Sequence, residues 1–115
     1  TPDIAKAYYV WLYKGVDELL FLGDIPEAKK SYTMAEDWAN RAGNKSIAST
    51  AQGTVQFLST KPDSRGAQVG AWLMVYINVA DKETKALAKR NIERLGGKMM
   101  FYDNGRIEAI PPKND

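Results

Sequence analysis

The carboxylates of this chain are the first residues whose types could support chemistry. Asp17-Glu18 and Glu36-Asp37 are adjacent pairs, and Glu27 stands alone between them. Neighbouring residues on a helix point about 100° apart, so neither pair forms the facing dyad that general acid–base hydrolysis requires. The acidic residues therefore do not predict a hydrolytic site.

The other usual catalytic groups are missing from the sequence. It contains no cysteine and no histidine, which excludes disulfides, thiolate or imidazole metal ligands, and Ser-His or Cys-His nucleophile pairs. The glycines form no phosphate loop, because residues 66–70 lack the following Lys-Ser/Thr and Gly96-Gly97 comes after a helical pattern. We expect a protein that is not an enzyme and carries no cofactor or metal.

Six basic residues fall on the fifth predicted helix and the hairpin that follows it. They are Lys82, Lys85, Lys89, Arg90, Arg94 and Arg106. A helix-turn-helix over this region, followed by a wing, would let these cations neutralise phosphates. Glu83, Glu93 and Asp103 interrupt the basic face, and the formal net charge of the whole chain is only +2. Nucleic-acid binding by a winged helix-turn-helix-like C-terminal half is therefore the alternative function.

The elements that position these residues begin with a strongly apolar helix. Apolar residues recur at spacings of three and four from Ile4 to Leu22, after a helix start at Thr1-Pro2-Asp3. The apolar stripe covers most of the circumference, which predicts that helix 1 is central and buried. Gly23 supplies its C-terminal cap, and Asp24 begins a second helix over about residues 25–42.

Three further helices are predicted over about residues 46–59, 65–79 and 82–95. The period then changes to two short apolar runs, 98–102 and 106–110, around Asp103-Asn104-Gly105, and Asn-Gly is a strong hairpin signal. The predicted fold is mostly α, a single domain over residues 1–115, helical over 1–97 with a β-hairpin over 98–110. The five helices would form antiparallel helical hairpins.

The stretch from Tyr9 to Ala42 resembles a tetratricopeptide repeat. Ala28, Tyr32 and Ala35 follow the Leu22-Gly23-Asp24 turn with the small, aromatic, small spacing of the second helix of such a repeat. The resemblance implies a concave groove lined by first helices. On that analogy the groove-facing residues are Val10, Tyr13, Lys14 and Asp17. Any antiparallel helical hairpin needs small residues where its helices pack together. The sequence is therefore compatible with both an α-α superhelix and a generic helical bundle.

The predicted function is a non-catalytic protein–protein interaction module, an adaptor or scaffold. A peptide or partner helix would lie along the groove of helices 1 and 3, or the C-terminal hairpin would pair with a strand, including one from a second copy. The chain starts at Thr1 without Met and has no membrane-length apolar run. We expect part of a longer protein, in which a missing upstream segment is the only route to a membrane. Bacterial cytoplasm and periplasm are equally compatible with the sequence.

Overall fold

The computed structural model describes residues 4–61 and 65–113, which form five α-helices and a C-terminal antiparallel β-hairpin. The elements are α1 Ile4–Asp17, a π-helical turn Glu18–Leu22, α2 Ile25–Arg41, α3 Lys45–Thr60, α4 Arg65–Asn78, α5 Lys82–Arg94, β1 Lys98–Phe101 and β2 Ile107–Ile110. The predicted mostly α fold class is confirmed. The helix start predicted at Thr1-Pro2-Asp3 lies outside the described residues.

The chain divides into two compact units, Thr1–Pro62 and Asp63–Asp115, here called the N-terminal and C-terminal units. The first contains α1 to α3, and the second contains α4, α5 and the hairpin. That the whole chain is a single domain stays a prediction.

Helix α2 is the central element of the N-terminal unit, because it packs against both α1 and α3. Its small-residue seam is buried, with Ala28, Ala35 and Ala39 fully inaccessible and Tyr32 only 1% exposed. The prediction that helix 1 is central is wrong. Helix α1 packs on α2 mainly through one stripe, so Val10 on its other side remains 64% exposed.

The three N-terminal helices converge at one end of their unit. Tyr8, Ala39 and Ala48 pack together there, one from each helix. Asn44 caps α3 by accepting a hydrogen bond from the backbone N–H of Ile47 at 3.1 Å, and its Nδ2 donates to the Tyr8 hydroxyl at 3.1 Å. One side chain therefore both starts α3 and ties it to α1.

A π-helical turn ends the first helix, where the sequence predicted regular helix to Leu22. The carbonyl of Glu18 accepts from the N–H groups of both Gly23 and Asp24. This wider turn changes the angular positions of the residues that follow Glu18. Leu22, expected on the buried stripe, is therefore 73% exposed, whereas Glu18, at the start of the turn, is only 7% exposed.

The C-terminal unit packs its hairpin on α4 and α5, as an isolated hairpin requires for stability. Met99 pairs with Ala109 and Phe101 with Ile107, and Met99 joins Val69 and Ile92 in the core. Lys98, Met100, Glu108 and Ile110 alternate onto the opposite face.

Candidate functional site

A groove of about 1010 Å³ lies in the N-terminal unit, between α1 and α3. We call it the α1–α3 groove. Trp11 and Lys14 form one wall, Val55, Leu58 and Ser59 form the other, and residues of α2 between Ile25 and Met34 form the floor. The cluster of Tyr8, Ala39 and Ala48 lies towards the opposite ends of the same three helices.

The groove-lining residues come from three helices. Trp11 and Lys14 belong to α1, Val55, Leu58 and Ser59 belong to α3, and α2 contributes eight of the ten residues from Ile25 to Met34. From residue 26 to residue 34 the floor extends about 12 Å, or roughly two helical turns.

The centre of the groove is apolar, and its edge on the side of α1 and α2 is basic. Met34 is 37% exposed and Val55 is half-buried, which leaves apolar surface accessible. Three lysines line the groove against one acidic residue, Glu27. Lys30 pairs with Glu27 at 3.2 Å, whereas Lys29 has no ion pair within the described residues.

A buried carboxylate fixes the α1 wall. The Ser31 hydroxyl donates to Glu18 Oε1 at 2.6 Å, and Lys14 Nζ lies 3.2 Å from Glu18 Oε2. Ser31 is fully inaccessible, so Glu18 is compensated inside the protein, as a buried charge must be. Lys14 Nζ also lies 5.3 Å from the centroid of the Trp11 ring. These contacts hold the cation and the aromatic side chain of the wall in defined positions.

The tyrosine beside this carboxylate is held neutral. Burial, and then the negative charge of Glu18, raise the pKa of Tyr32 well above its ordinary value of 10.0. The Tyr32 hydroxyl has no hydrogen-bond partner within residues 4–61 and 65–113. Its ring lies against Gly15, where a Cβ would be 3.1 Å from ring carbons. Gly15 therefore permits α1 and α2 to approach closely behind the groove.

Of the four residues predicted to face a groove, only Lys14 lines the α1–α3 groove. Val10, Tyr13 and Asp17 are exposed on α1 outside it. The Tyr13 ring stacks on Tyr9 with centroids 6.3 Å apart, and burial raises the pKa of Tyr13. Trp11 falls within the apolar stripe predicted for helix 1, and nothing in the sequence indicated Met34 or Val55 as groove residues.

The alternative nucleic-acid residues differ in how they are placed. Lys82, Lys89, Arg90 and Arg94 are exposed on α5. Lys85 instead donates to the backbone carbonyl of Tyr76 and lies over that ring at 4.7 Å. Glu93 is four residues from Lys89 and three from Arg90, so it neighbours both on the helix surface.

Arg106, the remaining basic residue proposed to bind nucleic acid, forms an ion pair near the hairpin tip. The guanidinium of Arg106 pairs with Glu108 and lies 5.3 Å from the centroid of the Tyr102 ring. The Tyr102 hydroxyl donates to the same carboxylate at 3.0 Å. Phosphate binding by Arg106 would compete with Glu108. Near the tip, Phe101 and Tyr102 are 54% and 42% exposed.

Comparison with known proteins adds no assignment. No protein-family model matches the chain, and neither the curated proteins nor the solved structures give a match. Membership of the tetratricopeptide repeat family therefore stays a prediction. Within residues 4–61 and 65–113, no helix is long and apolar enough to cross a membrane, and no group of three or more acidic side chains is placed to hold a metal ion.

Proposed function

We propose that this protein is a non-catalytic protein-binding module, an adaptor or scaffold, that takes a helix of a partner protein into the α1–α3 groove. The observation that carries the proposal is the groove itself, with its accessible apolar centre between two helical walls. An amphipathic helix laid into such a groove is a recurrent mode of protein recognition.

The shape of the groove favours a helix over a small ligand. Its volume is at the upper end of the roughly 300–1,000 Å³ typical of small-molecule pockets. It is open to solvent, however, and it is lined by residues of three helices rather than enclosed. A partner helix of two to three turns would fit between α1 and α3 and pack on α2.

The test is site-specific photo-crosslinking in cells or lysate of the source organism. A benzophenone amino acid replaces Met34 in the groove or, as matched control, Val10 on the exposed side of α1; both are accessible apolar helix positions. We expect a recurring adduct at position 34 but not at position 10, mapped by mass spectrometry to a segment with apolar residues at helical spacing. Adducts at position 10 alone, or none at position 34, would contradict the proposal.

Nucleic-acid binding by the C-terminal unit remains the alternative function, and one observation favours it. Lys82, Lys89, Arg90 and Arg94 are exposed on a helix that precedes a β-hairpin. Its signature is binding that weakens steeply with salt and that is reduced by Arg90→Glu. Duplex DNA that fails to bind at about 50 mM salt would eliminate it.

A further inference from the structure

We infer that the outer edge of β1 pairs with β1 of a second copy of this chain, in an antiparallel register centred on Met100. The outer edge is the side of the strand that points away from β2. The inference goes beyond the proposed function, because it concerns the C-terminal unit and does not depend on the α1–α3 groove. It follows from the hydrogen bonds of the hairpin and from the residues that each of its edges carries.

The ladder of the hairpin shows which backbone groups are left unpaired. The Tyr102 N–H donates to the carbonyl of Arg106 at 3.0 Å, so these two residues form a hydrogen-bonded pair. Such pairs alternate with non-hydrogen-bonded pairs along antiparallel strands, so every second residue of β1 directs its backbone groups away from β2. These residues are Met99 and Phe101. Their N–H and C=O groups form no hydrogen bond with another described residue, and unpaired groups of this kind are a template for a further strand.

The charges of the two strands distinguish the two edges of the hairpin. By the same alternation, Ile107 and Ala109 direct their backbone groups to the outer edge of β2. The residue between them is Glu108, so a two-fold antiparallel pairing of β2 with its copy would place Glu108 directly opposite Glu108. Like charges in that position are destabilising. The corresponding central residue of β1 is Met100, which is uncharged, so the β1 edge is the one that can pair with itself.

The register centred on Met100 uses every unpaired group of both β1 edges. It places Met99 of each copy opposite Phe101 of the other, and each of these two pairs exchanges two backbone hydrogen bonds. A register centred on Met99 would instead place Phe101 opposite Gly97, whose N–H already donates to a backbone carbonyl of α5. One centred on Phe101 would place Met99 opposite Asp103 in the turn.

The side chains of β1 are complementary to themselves in this register. Lys98, the only charged residue of β1, falls opposite Tyr102 of the second copy, and a cation is attracted by an aromatic ring. Met99 falls opposite Phe101, where a thioether and a ring also attract each other. Phe101 and Tyr102 are 54% and 42% exposed, so pairing brings exposed aromatic surface against a second strand.

The first test uses single cysteine substitutions in the full chain, which contains no cysteine of its own. Met100 lies opposite Met100 of the second copy in a non-hydrogen-bonded pair, whose Cα atoms are about 4.5 Å apart, within the roughly 4.4–6.8 Å that a disulfide spans. We expect Met100→Cys to form a disulfide-linked dimer in a glutathione buffer. Ile110→Cys, at an exposed residue on the same face of the hairpin but on β2, is the matched control and should stay monomeric.

The second test exchanges charge at the centre of the register. Met100→Lys and Met100→Glu each place like charges opposite one another, so each alone should weaken the dimer about 5-fold or more in sedimentation velocity. An equimolar mixture of the two variants places opposite charges there and should restore association. Ile110→Lys, the control on β2, should change the dissociation constant less than about 2-fold.

Three results would overturn the inference. They are a wild-type chain that sediments as a monomer at every concentration, a disulfide that forms no faster in Met100→Cys than in Ile110→Cys, and a mixture of the two charged variants that stays dissociated. None of these results bears on helix binding in the α1–α3 groove.

Discussion

Replacing Ser31 with alanine should destabilise the protein far more than a serine-to-alanine change on the surface. The Ser31 hydroxyl donates to the buried Glu18 carboxylate at 2.6 Å, and the serine has no exposed surface. Hydrogen bonds to charged groups contribute about 1.5–3 kcal/mol, and neutral ones about 0.5–1.5 kcal/mol. We therefore expect Ser31→Ala to lower the free energy of unfolding by about 1.5–3 kcal/mol.

The charge of Glu18 should account for roughly half of that effect. Glu18→Gln keeps the shape of the side chain and removes its charge, and Lys14, whose side chain is 49% exposed, returns to water at little cost. In the Glu18→Gln background, Ser31→Ala should cost only about 0.5–1.5 kcal/mol. The double-mutant cycle should thus give a coupling free energy of about 1 kcal/mol or more.

The assay is urea denaturation followed by far-UV circular dichroism, at neutral pH, for wild type, both single variants and the double variant. Ser49→Ala, at an exposed position of α3, is the matched control for the change in helix propensity. Equal costs of Ser31→Ala in the two backgrounds, within about 0.3 kcal/mol, would refute charge-assisted bonding between these residues. A cost no larger than that of Ser49→Ala would refute the bond altogether.

Four further predictions follow from particular contacts. Tyr32→Phe should be neutral or stabilising at pH 7, because the hydroxyl has no partner within the described residues. Below pH 10 Tyr32 is protonated in both the folded and the unfolded chain, but above pH 10 only the unfolded chain ionises, because the pKa of Tyr32 is raised in the folded protein. The free energy of unfolding of the wild type should therefore fall above pH 10 by up to about 1.4 kcal/mol per pH unit more than that of Tyr32→Phe. Identical alkaline slopes of the two proteins in urea titrations would contradict this. Gly15→Ala should destabilise the protein by about 1–2 kcal/mol, because the new Cβ would lie 3.1 Å from the Tyr32 ring. Gly53→Ala is the control: Gly53 is helical and a Cβ there would have no atom within 4 Å, so this change should stabilise by about 0.5–1 kcal/mol. Melting-temperature shifts of the same sign for the two variants would refute the close packing at Gly15. Gly97→Ala should cost more than Gly15→Ala, because the new Cβ would meet the backbone oxygen of Ile110 at 3.1 Å as well as Val69 at 3.0 Å, and an equal melting temperature would contradict that order. If the chain self-associates through its hairpin, Gly105→Val, at a φ of +87°, should abolish the dimer, and an unchanged sedimentation profile would exclude that contact.

The predicted elements match the structure closely because local signals specify them. Asp24 and Asp81 begin α2 and α5 as caps, accepting from the N–H groups of Glu27 and Thr84. The Asn104-Gly105 turn joins the two strands with the glycine at positive φ. These signals act within a few residues, so they can be read without knowing the tertiary structure.

What the sequence could not predict depends on the geometry of tertiary packing. The π-helical turn at Glu18–Leu22 has no local signal, and it leaves Leu22 exposed. The groove is lined by residues of α1, α2 and α3, so it depends on how three helices pack together. The apolar stripe predicted for helix 1 therefore includes Trp11 without marking it as a groove residue, and no pattern in the sequence marks Met34 as one.

The most direct measurement of helix binding in the α1–α3 groove is an NMR titration that follows the three tryptophan indole N–H signals. Trp11 lines the groove, Trp38 packs near the Tyr8 cluster at the other end of the unit, and Trp72 belongs to the C-terminal core. On adding a synthetic amphipathic helix with a single apolar stripe, the account predicts a saturable shift of the Trp11 signal, with Trp38 and Trp72 nearly unmoved and the response lost in Met34→Asp. A saturable shift at Trp38 or Trp72 with Trp11 unmoved would contradict it.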